Sequence, residues 1–329
     1  MATLRHSMVA PVLLSLLPAA LGLLGACELF YDPAAPPFDD RLMSTVMVDD
    51  VFGDLRRSDV EMTVLDNGSR RYLLVRGRDK GGGERTVAFD EDLKVRMSRS
   101  DVWDIHNAFV DVNGNFVVER MLFDRGFSLE EEEIYDNPPD SERVTGVATP
   151  SGVVLLGVEN HSLEAGPLYD SDWNELNGIS SNDIHPDADA NAREGFRLKA
   201  AQHDVGRARS GLVLWNDALS RVFVIEVSAS LAVDMQDPGL AGGTFVTDEA
   251  RYITVSARDY DPVFYTRRGV VVLRDKRDHE VFDIDSGERL DTYHVASNAE
   301  FAFAYSPDGR WVYTLDKSRL RLYKARTWW

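Results

Sequence analysis

One pattern limits the folds open to this chain more than any other. From about residue 43 to the C-terminus, short runs rich in Val, Phe, Tyr and Thr are paired across polar turns. It is visible in EMTVLDNGSRRYLLVRG, HNAFVDVNGNFVVERML, VTGVATPSGVVLLGVEN, GGTFVTDEARYITVSAR and EFAFAYSPDGRWVYTLD. The turns LDNG, DVNGN, TPSG and SPDG place Gly or Asn where a hairpin needs positive φ. A second unit follows after a loop, as TVAFDEDLKVRMS, LFDRGFSLEEEE, LYDSDWNELNGI, LVLWNDALSRVFVI, VFDIDSGERLDTY and LRLYKARTWW. It consists of an aromatic residue, usually an acid or Asn after it, a turn and another strand. The aromatic positions Phe89, Phe123, Tyr169, Trp215, Phe282 and Tyr323 are separated by 34, 46, 46, 67 and 41 residues. The period is therefore near 45 residues with one long interval, and no long stretch carries sustained helical spacing.

Four short strands in a period of about 45 residues is the pattern of a β-propeller blade. The expected fold class is all-β: a β-propeller of about six four-stranded blades, or seven if the 67-residue interval hides one. At SPDGRWVYTLD and VFDIDSGERLDTY the chain resembles the Trp-Asp-repeat-like and Tyr-Val-Thr-Asn-type bacterial propellers, in which SPDG opens one hairpin and D-x-x-SG-E the next. The resemblance spans most of residues 43–329 and is strongest near the C-terminus; no Trp-Asp dipeptide stands at the expected place. The last unit stops at its third strand, RLRLYKA, with only TWW beyond it, whereas LMSTVMVDD, residues 42–50, is a strand without a blade of its own. It is expected to complete the final blade, closing the ring and removing an exposed edge. Of Trp328 and Trp329, at least one is expected to pack. A β-sandwich or a two-domain arrangement is the other architecture that the irregular spacing admits.

The N-terminus carries a different signal. Arg5 and His6 precede VAPVLLSLLPAALGLL, residues 9–24, broken by Pro11 and Pro18. A membrane span needs about 20 apolar residues, so this run has the length of a signal-peptide core. Cys27 is the one cysteine in the chain, which excludes an internal disulfide and CxxC metal sites. Leu24-Gly25-Ala26-Cys27 resembles the bacterial lipobox, which implies lipidation of the Cys27 thiol and cleavage before it. The expected division is residues 1–26 signal peptide, 27–41 lipidated Cys and Pro-rich tether, and 42–329 propeller. Glu28 stands where the enteric inner-membrane retention signal has Asp, so an outer-membrane location is expected. The tether ELFYDPAAPPFDDR would reach roughly 40 Å at ~3.1 Å per residue.

With 36 Lys+Arg against 55 Asp+Glu the net charge is -19, which disfavours a nucleic-acid partner because phosphate binding needs clustered cations. The most suggestive polar cluster is SSNDIHPDADANARE, residues 180–194. There Asp187, Asp189 and Asn191 alternate as in the opening of a calcium loop. Ala192 and Leu198 stand where an EF-hand requires Gly and Glu, which leaves a looser calcium site or a solvated turn. His185 and His203, beside Asp183 and Asp204, are candidate ligands or an acid–base pair. His106 and His161 are read as structural, and the acidic run 129–142 as a blade edge with a solvated connection. The locally basic stretch RRYLLVRGRDKGGGER, residues 70–85, lacks the spacing of a phosphate loop. There is no GxSxG elbow.

Catalytic residues are not assigned. The expected function is a lipid-anchored cell-envelope propeller that binds a protein or an envelope polymer. The membrane is its first partner, and calcium is the one cofactor the residues suggest. A lactonase-like or carbohydrate-active propeller enzyme with its site in the central channel is the alternative.

Overall fold

The computed structural model describes residues 41–52, 60–102, 105, 108–135, 144–149, 152–159, 162–178, 196–204, 209–216, 221–227, 247–254, 263–266, 269–275, 278–283, 285–294, 301–327 and 329. Among them the regular structure is almost entirely β, and no helix is long and apolar enough to cross a membrane. Sheet 1 comprises β2 (Glu61–Asp66), β3 (Arg71–Arg78), β4 (Glu84–Phe89) and β5 (Val95–Arg99). Sheet 2 is β6 (Ala108–Val110), β7 (Phe116–Val118), β8 (Met121–Phe123) and β9 (Leu129–Glu131), and sheet 3 is β10 (Val144–Thr149), β11 (Gly152–Glu159), β12 (Ser162–Tyr169) and β13 (Glu175–Gly178). Sheet 4 holds β14 (Phe196–Asp204), β15 (Arg209–Asn216), β16 (Arg221–Val227) and β17 (Thr247–Thr254); sheet 5 holds β18 (Val263–Thr266), β19 (Val270–Asp275), β20 (Asp278–Asp283) and β21 (Arg289–His294). In sheet 6, β22 (Phe301–Tyr305), β23 (Trp311–Asp316) and β24 (Arg321–Arg326) are followed in space by β1 (Leu42–Met47). Every recorded pairing is antiparallel, and β1 lies on β24 with Thr45 opposite Tyr323 and Met47 opposite Arg321.

The sheets follow one another along the chain, and their first strands β22, β2, β6, β10, β14 and β18 lie side by side in that order. This is the architecture of a β-propeller. Because sheets 1, 2 and 6 are packed on both faces, their alternating side chains serve two different seams. In β3, Leu73 and Val75 face a cluster shared with Ala302, Tyr313 and Leu315 of sheet 6, while Tyr72 and Leu74 face one shared with Val110, Phe116 and Phe123 of sheet 2. The inner strands therefore read as nearly unbroken apolar runs rather than as an in–out alternation. Val270, Val272 and Val281 of sheet 5 meet Phe301, Phe303 and Tyr305 of sheet 6 in the same way, with Trp329 packed against the cluster and 5.4 Å from the Tyr305 ring.

Two of the expectations need correcting. Trp215 falls in β15, the second strand of its sheet, whereas Phe89, Phe123, Tyr169, Phe282 and Tyr323 all lie in third strands. GGTFVTDEARYITVSAR is not a hairpin at its centre, because 247–254 is the single strand β17. In an antiparallel meander every hairpin has much the same local chemistry, so composition does not reveal which pair of strands a turn joins.

Close packing leaves one glycine little room. A Cβ on Gly146 in β10 would lie 2.2 Å from Cε2 of Phe109, a ring that is buried in the seam between sheets 2 and 3. Gly146→Ala is expected to lower stability by about 1–3 kcal/mol through overpacking. Combining it with Phe109→Leu should return part of that loss, measured as a non-additive shift in the urea midpoints of the two single variants and the double variant. An alanine variant as stable as the parent would show that the ring has space to move.

Candidate functional site

Among the described residues, the turns joining first to second strands in sheets 1, 2 and 6, and third to fourth strands in sheets 1, 2, 3 and 5, lie on one rim, and each of these is organised by an aspartate. Asp90 Oδ1 accepts from the backbone N–H groups of Asp92 and Lys94, both at 2.9 Å. Asp124 Oδ1 does the same for Gly126 and Ser128 at 2.7 Å, and Asp170 Oδ1 for Asp172 and Asn174 at 2.9 Å. A short carboxylate that binds its own backbone two and four residues on makes a compact turn at little entropic cost. The fourth residue of each turn takes the left-handed conformation: Leu93 at φ 61°, Phe127 at 65° and Trp173 at 65°. None is glycine, because each side chain drops into a seam. Leu93 joins the cluster between sheets 6 and 1, Phe127 the one between sheets 1 and 2, and Trp173 packs on the one between sheets 2 and 3. In sheets 1, 2 and 3 the aspartate that follows the third-strand aromatic is thus a turn cap, and the residue three places after it is an interlock between sheets; in sheet 5 Asp283 also caps its turn, through Ser286, but Gly287 takes the left-handed position there.

Polar bonds tie the same rim across the seams. Arg71, at the start of β3, gives Nε and Nη2 to Asp66 Oδ2 at 3.1 and 2.8 Å, and Nη2 also reaches Asp308 Oδ2 of sheet 6 at 2.7 Å. Asp308 lies in the SPDG turn between β22 and β23. Burial works to raise its carboxyl, but hydrogen bonding by Ser306 and the Arg71 charge outweigh this and hold it below the ordinary carboxylate range. Burial opposes the Arg71 charge too, and the two carboxylates more than compensate, so its pKa rises. Asn67 donates Nδ2–H to Gly114 O of sheet 2 at 2.7 Å. Arg125 bonds Asn113 O at 2.6 Å, and Asn113 donates to Ser171 O of sheet 3 at 2.9 Å.

Outward from this network is a cleft of about 590 Å³ lined by Ser69, Arg70, Arg71, Tyr72, Asp90, Glu91, Asp92, Arg96 and Gly126. Arg96 is held by Asp90 Oδ2, with Nε at 2.7 Å and Nη2 at 2.6 Å. Burial favours the neutral form of Asp90, yet the hydrogen bonds from Lys94 N–H, Arg96 and Asp92 N–H prevail and its pKa is lowered. Lys324 rests over the Trp311 ring at 4.5 Å and donates to the Glu91 carbonyl at 2.8 Å; burial lowers its pKa. The cleft therefore presents both signs of charge on two stiff turns of one sheet.

A second titratable pair lies at the seam of sheets 5 and 6. His279 Nδ1 is 2.5 Å from the Tyr305 hydroxyl, and its ring stands edge-on to Phe303 at 4.8 Å. Burial first, then the Arg274 charge, pushes His279 down to about 3, so the imidazole is neutral at physiological pH.

Cys27, Asp187, Asp189 and Asn191 lie outside the described residues, as do His185, His106 and His161. His203 is in β14. In the acidic run, β9 is the exposed outer strand of sheet 2, and Ile134 and Tyr135 just beyond it are buried, with the Tyr135 hydroxyl donating to Glu119 O. Among the described residues, no group of three or more His, Cys, Asp and Glu side chains is placed to hold a metal ion. Sequence reasoning missed Arg71, Asp308 and Asn67. Two of them stood inside the hairpin turns LDNG and SPDG, but nothing local marks an arginine at residue 71 as the partner of an aspartate 237 positions away.

No family model matches the chain, and no curated protein does. Among solved structures the chain is similar to the β-propeller domain of Cps50 (Swd1) from Myceliophteria thermophila. The TM-score is 0.45 at 10% sequence identity, over 88% of this chain and 99% of that one.

Proposed function

We propose that this is a lipid-anchored β-propeller of the cell envelope, with six blades in a ring closed by β1, that binds a protein or an envelope polymer through its rim. The observation that carries the binding role is the rim itself, where capped turns and seam-crossing bonds hold an open polar cleft on stiff supports. Rigid elements that present loops are where recognition concentrates. The buried and half-buried carboxylates of this rim are committed to structure: Asp66 and the half-buried Asp308 to Arg71, and Asp111 to the N–H groups of Asn113 and Asn115 at 2.9 and 2.7 Å. Burial raises the Asp111 carboxyl in spite of those bonds.

Anchoring rests on the lipobox Leu24-Gly25-Ala26-Cys27, with outer-membrane sorting from Glu28. The tether enters the fold at this rim too. Leu42, at the start of β1, pairs with Ala325 near the end of β24, and Thr327 N–H bonds Arg310 O in the turn that follows Asp308. Cys27→Ser is expected to abolish metabolic labelling with a fatty acid and to leave the precursor uncleaved on a gel. Normal labelling and processing of that variant would end the anchoring proposal. Co-purification of a partner from detergent-solubilised envelope, lost on changing exposed rim residues, tests the binding role separately.

A further inference from the structure

The charges lining the rim cleft divide into those already engaged and those facing outward. Arg71 is spent on Asp66 and Asp308, and Asp90 on its own turn and on Arg96. Three exposed groups remain less committed, and a fourth, Arg96, is only partly engaged. The Arg70 side chain makes one long bond, from Nη1 to Arg125 O at 3.5 Å. Glu91 receives Lys324 through its carbonyl oxygen rather than its carboxylate. Asp92 has a loose contact of 3.5 Å to Lys94 between side chains 75% and 69% exposed, a pair of little strength in water. Arg96 uses Nε and Nη2 on a single oxygen of Asp90, leaving the Nη1 amino group over.

Both ends of this set are pre-positioned. The Arg70 backbone N–H is held by Asn67 Oδ1 at 2.8 Å, and that of Asp92 by Asp90 Oδ1 at 2.9 Å. A polyanion would gain from Arg70 and Arg96 but be repelled by Glu91 and Asp92; a simple cation would meet the reverse. The ligand that satisfies both signs carries an anionic group and a protonated amine in one small molecule. The cleft volume, about 590 Å³, falls in the range of small-molecule sites, ~300–1,000 Å³.

We propose that this cleft binds a phosphate–ammonium zwitterion of the phosphoethanolamine type, its phosphate on Arg70 and Arg96 and its ammonium on Glu91 and Asp92. Guanidinium groups match phosphate oxygens in pairs, and carboxylates accept from a primary ammonium but have no N–H to accept from in a trimethylated one. The choice of phosphate rests on the lipid-anchored reading, since the tether enters at the same rim and leads toward a membrane whose headgroups carry this chemistry. The ligand could be a lipid headgroup or its free soluble form.

The test is titration calorimetry of the full chain in detergent with glycerophosphoethanolamine, glycerol 3-phosphate and glycerophosphocholine. Saturable binding of the first, about tenfold or more tighter than either other compound, is expected. Arg70→Gln and Glu91→Gln should each weaken it about fivefold or more without shifting the melting temperature, because both side chains are exposed. Flotation with phosphatidylethanolamine vesicles against phosphatidylcholine vesicles, using the Cys27→Ser chain so that no acyl anchor contributes, separates the sources. A preference lost in Arg70→Gln identifies the lipid headgroup, and no preference identifies the soluble compound. Absence of glycerophosphoethanolamine binding, equal binding of the three compounds, or binding unaffected by both substitutions overturns the proposal. Cys27 processing is unaffected by any of these results, so the anchoring reading stands or falls independently.

Discussion

Arg71→Ala is expected to lower the unfolding free energy by about 3–5 kcal/mol, the largest effect of any single charge in the described part of the fold. The guanidinium bridges Asp66, 4% exposed at its side chain, and Asp308, 18% exposed, where the exposed Arg310 lies farther off at 3.8 Å. Removing it leaves two carboxylates facing each other with little water to screen them. The pH dependence separates this from a loss of packing. In the parent chain Asp308 has a depressed pKa, so its contribution is present above the ordinary value of 3.8 and disappears as pH falls through the lower folded-state value. In Arg71→Ala the carboxylates are destabilising while charged, and protonation relieves them. The stability gap between the two proteins should therefore narrow as pH drops below about 4. Urea denaturation at pH 7 and near pH 3.5 measures it, and a gap independent of pH would show that the triad acts through packing alone.

The second large effect is at Phe127, where two opposing terms can be separated by the choice of substitution. Its ring contacts Tyr72 at 4.7 Å, Phe123 at 4.9 Å and Phe116 at 5.3 Å, joining sheets 1 and 2. Losing it is expected to cost about 3–5 kcal/mol. The backbone there sits at φ 65°, which an L-residue occupies at a penalty of roughly 1–2 kcal/mol. Alanine loses the ring and keeps that penalty, whereas glycine loses the ring and is relieved of it. Phe127→Gly is thus expected to be more stable than Phe127→Ala by about 1 kcal/mol, the reverse of the usual order in a strand. Equal midpoints, or alanine above glycine, would mean that the turn carries no strain at this position.

Both predictions concern features that were partly visible in the chain. The pairing of an aromatic residue with a following acid, as in Phe89-Asp90, Phe123-Asp124 and Tyr169-Asp170, was recognised as a recurrent unit, and the hairpins LDNG, DVNGN and SPDG have positive φ at Gly68, Gly114 and Gly309. The left-handed position of Phe127 and Trp173 was not anticipated, because propensity favours glycine there and only the neighbouring sheet supplies the burial that overrides it. Trp215, in a second strand rather than a third, lengthens the interval that follows it. That interval also reflects connections of unequal length, with β16 ending at Val227 and β17 beginning at Thr247, and connection length is weakly constrained by stability.

The cleft shows the same division. Its basic side is visible in the sequence as residues 70–85, which lack a phosphate-loop pattern, and Asp90 as the acid of a recurrent turn, whereas nothing local marks Glu91 and Asp92 as facing Arg70 and Arg96. Their convergence on one opening depends on sheet 1 folding its two rim turns toward each other and on Gly126 of sheet 2 lining the same opening.

By itself the sequence determined the all-β class, an approximate period, the turns around Gly68, Gly114 and Gly309, and a strand within residues 42–50 left over for the end of the chain. Those are local properties, set by side-chain alternation and by turn residues acting within a few positions of one another. Only the tertiary structure decided which aspartates cap their own turns and which pair across a seam, which glycine must stay small, and which charges face one cleft. These depend on which sheets become neighbours, and residues as far apart as Arg71 and Asp308 meet only because sheets 1 and 6 pack face to face, with β1 completing the outer edge of sheet 6.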